Sequence, residues 1–239
     1  MTVALIDADI VAFSCAAYNE QWGWDACRED IDNLMKRILE TTGATDFECF
    51  ISGSNNFRYS IYPDYKANRK GKPEPQYRAE ANAYIVTEYG GTVTDGYEAD
   101  DAIGIASSRL DSFIICSIDK DLKQIPGNHY NWRKNEFDVV STVDGLRSFY
   151  RSVLTGDRTD NIISGLKRMG PVTAGKIIDD LTTEWDMYQA VRAIYNNEER
   201  LHLNCQLLYI LREENKMWEA PTPQGGSSPK ETNGPTEEA

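Results

Sequence analysis

The sequence predicts an α/β fold, a mostly parallel sheet covered by helices on both faces, and three observations carry that expectation. Apolar runs of strand length at residues 2–6, 47–51 and 113–118 alternate with stretches of helical periodicity. Two of these runs lead into aspartates, Asp7 and Asp119, which would stand at the carboxyl edge of the sheet, where such folds bind ligands. At 239 residues and 41% apolar composition, the chain is long enough to bury one good core.

The elements follow in order. Residues 2–6 read as a buried strand because every side chain after Thr2 is apolar. Between residues 25 and 39, Ile31, Leu34, Met35, Ile38 and Leu39 recur at helical spacing. Residues 47–51 look like a second strand. Residues 55–75 hold three prolines, a glycine and many charges, so an irregular excursion is expected. The helical pattern returns at 77–89 and is closed by Gly90 and Gly91. Residues 98–110 form the next helix, with acids in the first turn where the positive end of the dipole favours them. Residues 113–118 are the clearest buried strand, and from Val143 to Trp218 the pattern is helical. Residues 219–239, rich in Pro, Gly, Ser, Thr and Glu, read as a disordered acidic tail. The expected division is a core over 1–142, with the excursion at about 55–76, then a helical region over 143–218 and the tail.

No apolar run approaches the roughly 20 residues of a membrane span, and no signal peptide precedes the first strand, so a cytoplasmic protein is expected. Five scattered cysteines without a C-x-x-C spacing argue against a disulfide framework or a zinc site, and Cys49 and Cys116 read as strand residues. The net charge of −13 opposes nucleic-acid binding taken as a sum, but its distribution does not. Between residues 56 and 78, six basic residues (Arg58, Lys66, Arg69, Lys70, Lys72, Arg78) face only two acids, and residues 165–178 carry Lys167, Arg168 and Lys176 with none.

Acids gather at four places: Asp7 with Asp9; Glu98 with Asp100 and Asp101; Asp119 with Asp121; and Asp157 with Asp160. Any one of them taken alone reads more readily as a helix cap or turn residue. Together, at strand ends and helix starts, they form a set whose mutual repulsion calls for cations, and hard oxygen donors suit Mg²⁺ or Mn²⁺. Glu98 and Asp101 share a helical face, as do Asp157 and Asp160, whereas Asp100 is expected to point elsewhere. Such a set fits two-metal hydrolysis of a phosphodiester without a histidine base, so His129 and His202 read as structural or surface residues. The strand ending in Asp7 and Asp9, with Asp157 and Asp160 later, also fits an aspartate-nucleophile phosphatase of the haloacid dehalogenase type, in which Asp7 would be phosphorylated and Asp9 would move protons. That alternative leaves the acids at 98–101 and both basic stretches unused.

Residues 162–178 place Gly165 and Gly170 in a short turn before a helix. This geometry offers free backbone N–H groups to a phosphate without reading bases. With this turn, the order of Asp7, Tyr65-Lys-Ala-Asn-Arg69, Gly96-Tyr-Glu-Ala-Asp-Asp101, Ser117-Ile-Asp-Lys-Asp121 and Gly156-Asp-Arg-Thr-Asp-Asn161 resembles the flap endonuclease and 5′→3′ exonuclease family. That family includes phage exonucleases and the 5′-nuclease domain of bacterial DNA polymerase I.

The resemblance implies a PIN-like core, a helical arch at about 55–76 and a helix-hairpin-helix element at about 159–180. It implies two divalent ions held by Asp7, Glu98, Asp100, Asp101, Asp119, Asp121, Asp157 and Asp160. Lys66 and Arg69 would act on the scissile phosphate. Arg58 and Tyr65 would join them in contacting nucleic acid. Gly165, Lys167, Gly170, Thr173 and Lys176 would clamp duplex DNA, with a potassium ion at the hairpin. The implied partners are DNA with a 5′ end or flap, with an RNA–DNA hybrid and a separate DNA polymerase as further candidates. Two features depart from the family pattern. No aspartate follows the second strand, where Ser52, Gly53 and Ser54 stand, and Arg168 replaces a glycine in the hairpin. A weakened or non-catalytic DNA-structure binder is therefore a third reading.

Overall fold

The protein is described by a computed structural model over residues 1–223. Its sheet contains β1 (Val3–Asp7), β2 (Asp46–Ile51), β3 (Thr92–Val93), β4 (Phe113–Cys116), β5 (Gly127–Asn131) and β6 (Glu136–Val140), in the order β3-β2-β1-β4-β5-β6. All neighbours are parallel except β6, which returns antiparallel to β5. The first four helices are α1 (Ala8–Tyr18), α2 (Trp24–Thr42), α3 (Phe57–Ile61) and α4 (Arg78–Tyr89), followed by α5 (Ala99–Arg109). Beyond the sheet lie α6 (Thr142–Thr155), α7 (Pro171–Ile178), α8 (Glu184–Ile194) and α9 (Glu198–Leu208).

β1 lies between β2 and β4, and all five of its residues are buried. Because strand side chains alternate, Ala4 and Ile6 pack under α1, α2 and α4, while Val3 and Leu5 pack with Ala102, Ile103 and Ala106 of α5. This two-sided burial explains why the strand reads as continuously apolar. In register, Ile6 is level with Cys49 of β2 and Cys116 of β4, so the chain leaves all three strands on one edge. The helices α6 to α9 form a separate cluster around Phe149, Tyr150, Val153, Ile178, Met187 and Cys205.

Several elements depart from the expected pattern. α1 escaped periodicity because Asp7 caps it directly from β1 and its sequence is apolar almost all round. β5 carries Asn, His and Tyr, a composition that resembles a turn, and β3 is only two residues long. The excursion holds little helix: the five residues of α3 and a single 3₁₀ turn at Ala67–Arg69 stand where a helical arch was expected. Within the expected bounds of the helix-hairpin-helix, α7 is the helical part. The helix before the hairpin is α6, which ends at Thr155 and packs on α7, and residues 157–162 between them close a small β-bridge. The helical pattern stops at Leu208. Residues beyond it return to the core, where Gly104 admits them: a Cβ there would meet the Leu211 carbonyl oxygen at 2.2 Å. Most of the expected tail lies outside the described residues.

Candidate active site

The parallel register delivers Asp7 and Asp119 to the carboxyl edge of the sheet, since Asp7 ends β1 and Asp119 follows the adjacent β4. Ser117 joins them: its hydroxyl donates to Asp7 Oδ2 at 2.7 Å and accepts the Asp119 N–H at 2.9 Å. Asp119 in turn accepts the Asp121 N–H at 2.8 Å, a local turn that aims the second acid of the pair. Across from them, Glu98, Asp100, Asp121, Asp157 and Asp160 line one cavity of about 60 Å³.

The charges of this set are poorly compensated. Burial, with Asp9 and Asp119 nearby, pushes Asp7 up to about 7 despite the Ser117 hydrogen bond. Asp100 is raised by burial and then by Asp7, Asp119 and Glu98. Burial and the neighbouring Asp119, Asp157 and Asp160 push Asp121 up to about 6. The acids therefore fall into two groups that share Asp119, one around Asp7 and Asp100 and one around Asp121, Asp157 and Asp160.

Lys66 and Arg69 turn back onto these acids. The Lys66 ammonium pairs with Glu98 and stands 3.7 Å from Asp160, and Arg69 pairs with Asp160. Lys66 adopts a left-handed backbone (φ 55°), stabilised by its N–H to the Asp160 carbonyl at 2.9 Å. Burial would lower the Lys66 pKa, but Glu98 and Asp160 outweigh it and raise it. Asn68 and Arg69 also donate to the carbonyls of Arg158 and Thr159, which staples the outgoing foot of the excursion to the loop that carries Asp157 and Asp160.

Four expectations change. Asp101 is fully buried and bound by Arg58 at 2.6 and 2.9 Å and by the backbone N–H groups of Glu98 and Leu211, so it caps α5 and is no ion ligand. Arg58 is equally buried and also donates to the carbonyls of Leu207 and Tyr209, which removes it from any DNA surface. Burial alone would raise the Asp101 pKa; the Arg58 guanidinium reverses that and lowers it. Tyr65, 3% exposed, cannot face nucleic acid either, and its hydroxyl lies between Glu98 (2.8 Å) and Asp160 (3.0 Å). Asp100, expected to point away, instead joins the cluster beside Glu98. Of the six basic residues between 56 and 78, only Lys70 and Lys72 carry no ion pair among the described residues.

At the hairpin, Lys167, Thr173 and Lys176 are exposed beside Gly165 and Gly170. Arg168 completes the turn in a left-handed conformation (φ 58°), where a glycine would be unstrained. His129 is buried, its Nε2 bonded to the Ile125 carbonyl at 2.8 Å, and burial lowers its pKa to about 4. Reading the sequence missed Ser117 as a link between Asp7 and Asp119. It also left unresolved the end of β2, where Asp9 accepts the Ser52 N–H at 2.9 Å. An acid at Gly53 would not fit, since a Cβ there would meet the Thr94 carbonyl oxygen at 2.1 Å.

No three of these groups form a ready coordination shell among the described residues. Their chemistry nonetheless fits hard divalent cations: every candidate ligand is a carboxylate, and burial together with mutual repulsion raises the pKa of Asp7, Asp100 and Asp121, a repulsion that cations would relieve. No helix among the described residues is long and apolar enough to cross a membrane.

Comparison with known proteins bears on this arrangement. DNA polymerase I of Rhizobium leguminosarum is 31% identical over 172 residues, 62% of this chain and 17% of that protein. The 5′-3′ exonuclease of Buchnera aphidicola subsp. Schizaphis graminum is 28% identical over 168 residues, 64% of this chain and 56% of its own length. The chain thus spans about half or less of these relatives. The bacteriophage T5 flap endonuclease, solved in a complex with DNA and metal ions, shares the fold with a TM-score of 0.68 at 16% identity, covering 89% of each chain. That likeness extends to the mostly parallel sheet flanked by helices expected of a PIN-like core. Residues 24–151 match the profile described as "5'-3' exonuclease, N-terminal resolvase-like domain", and the chain belongs to that family.

Proposed function

We propose that this protein hydrolyses phosphodiester bonds of DNA at or near a 5′ end, as an exonuclease or flap endonuclease working with two divalent ions, Mg²⁺ or Mn²⁺. The observation that carries the proposal is the meeting of two carboxylate groups, around Asp7–Asp100 and around Asp121–Asp157–Asp160, with Lys66 and Arg69 turned onto them. Asp7, Glu98, Asp100 and Asp119 would hold one ion, and Asp121, Asp157 and Asp160 the other. Bound ions supply a low-pKa water and stabilise charge on the phosphate. Glu98 and Asp160 would hold cations in place of Lys66 and Arg69, whose side chains would then be available to the non-bridging oxygens of the scissile phosphate, where charge develops. Ser117 and Tyr65 orient Asp7, Glu98 and Asp160 throughout. The exposed Lys167, Thr173 and Lys176 hold the duplex through its phosphates, with a potassium ion at the same turn.

The substrate is DNA with a 5′ end or flap, with RNA–DNA hybrids as a second class. The setting is the cytoplasm, beside a separate DNA polymerase. A phosphatase would need Asp9 free to move protons, and Arg78 and Ser52 hold it. The test is incubation with 5′-labelled flap and duplex DNA in Mg²⁺ or EDTA. Metal-dependent release of short 5′ products is expected. Binding without cleavage favours a DNA-structure binder, and cleavage of a phosphate monoester alone overturns the proposal.

A further inference from the structure

Asp9 stands two residues beyond Asp7 in the first turn of α1, yet its carboxylate is committed within the protein. Oδ2 accepts the Ser52 N–H at 2.9 Å at the end of β2, and Oδ1 accepts Arg78 Nη2 at 2.7 Å. Arg78 Nη1 also donates to the Asp9 carbonyl, and the guanidinium lies 5.6 Å from the centre of the Phe13 ring, one turn further along α1. Arg78 opens α4, where the 55–76 excursion returns to the core. This one side chain therefore grips Asp9 through backbone and carboxylate together. A divalent ion could replace only the second of these bonds. Lys66, by contrast, holds Glu98 through a side-chain pair alone.

We infer that Arg78 is a positioning residue: it keeps the Asp9 carboxylate as the tie between α1, β2 and α4, and out of the divalent-ion shell around Asp7. Left uncompensated, Asp9 would add a second negative charge beside Asp7 and draw an ion toward β2. With Arg78 in place, the Asp9 carboxylate is held on the β2 side by the guanidinium and the Ser52 N–H, and the number of bound ions is set by Asp7 and the acids across from it. The inference rests on the reading of those acids as ion ligands.

Calorimetric titration of the DNA-free full chain with Mn²⁺ tests it, because affinity and stoichiometry are read without turnover. Asp9→Asn is expected to bind within about twofold of the unaltered protein. Arg78→Met is expected to bind roughly threefold to tenfold tighter, or to take up an additional ion, because a carboxylate is set free beside Asp7. Asp9→Asn combined with Arg78→Met should return to the original isotherm. A merely structural role would lower the melting temperature of Arg78→Met and leave its isotherm unchanged, which overturns the inference. A several-fold loss of affinity in the isosteric Asp9→Asn overturns it as well, even if Arg78→Met does not fold, because Asp9 would then be a ligand. Absence of any Mn²⁺ binding by the unaltered protein would sink the ion-ligand reading itself and the inference with it.

Discussion

Arg58 and Asp101 form a two-bond ion pair at 2.6 and 2.9 Å in which both side chains are buried, and it fastens the start of the excursion to the first turn of α5. Breaking one side of such a pair leaves an uncompensated buried charge, at a cost of about 3–5 kcal/mol. Arg58→Met is accordingly expected to lower the melting temperature steeply. Asp101→Asn should also destabilise, while its folded fraction binds Mn²⁺ as the unaltered protein does. A large loss of ion affinity in folded Asp101→Asn would return this residue to the ligand set.

Asp119 belongs to both carboxylate groups, and its replacement should be felt by both ions. Asp119→Asn is expected to cut hydrolysis by on the order of 10²-fold or more. DNA binding in Ca²⁺ should largely persist, because the hairpin lysines are untouched. Unchanged turnover in saturating Mg²⁺ would place Asp119 outside the reaction.

Lys66 and Lys176 should separate chemistry from grip. Lys66 faces Glu98 and Asp160, so Lys66→Ala is expected to lower turnover more than DNA affinity. Lys176 is exposed on α7, and Lys176→Ala should weaken binding and flatten its salt dependence by roughly one counterion. An unaltered salt slope would take Lys176 off the DNA.

Proton linkage gives a test that needs no substrate. Asp7 and Asp121 sit at about 7 and about 6 in the folded protein, above their ordinary 3.8, chiefly through burial. Through these two acids the folded state retains protons that the unfolded chain has released, which makes stability in EDTA fall as pH rises from about 4 through about 7, while His129, lowered to about 4, opposes them only below about 6.5. Asp101, whose pKa is lowered, keeps its contribution over this range and loses it only in stronger acid. Thermal melts in EDTA should show a higher midpoint near pH 5.5 than near pH 8, and Mg²⁺ should raise the midpoint more at the higher pH. Equal midpoints in EDTA would mean that the acids are not crowded.

Arg168 is the strained residue of the hairpin. Arg168→Gly relieves a left-handed backbone at about 1 kcal/mol, partly offset by the greater freedom of glycine in the unfolded chain. A slightly raised melting temperature with weaker DNA binding is expected. A lowered one would mean that the side chain supports the turn.

The sequence by itself determined the sheet's central strands, the order of the acids along the chain and the edge on which they gather. An apolar run that ends in Asp7 or Asp119 has one economical solution in an α/β fold, and local pattern suffices to read it. Tertiary structure alone decided which charges remain free. Asp100 and Asp101 are neighbours in sequence, yet one faces the carboxylate cluster and the other is sealed by Arg58, 43 residues away along the chain. Four of the six basic residues between 56 and 78 are likewise spent on acids brought to them by other elements. Charge pairing depends on distance in space and on burial, and neither is encoded in the local spacing of residues.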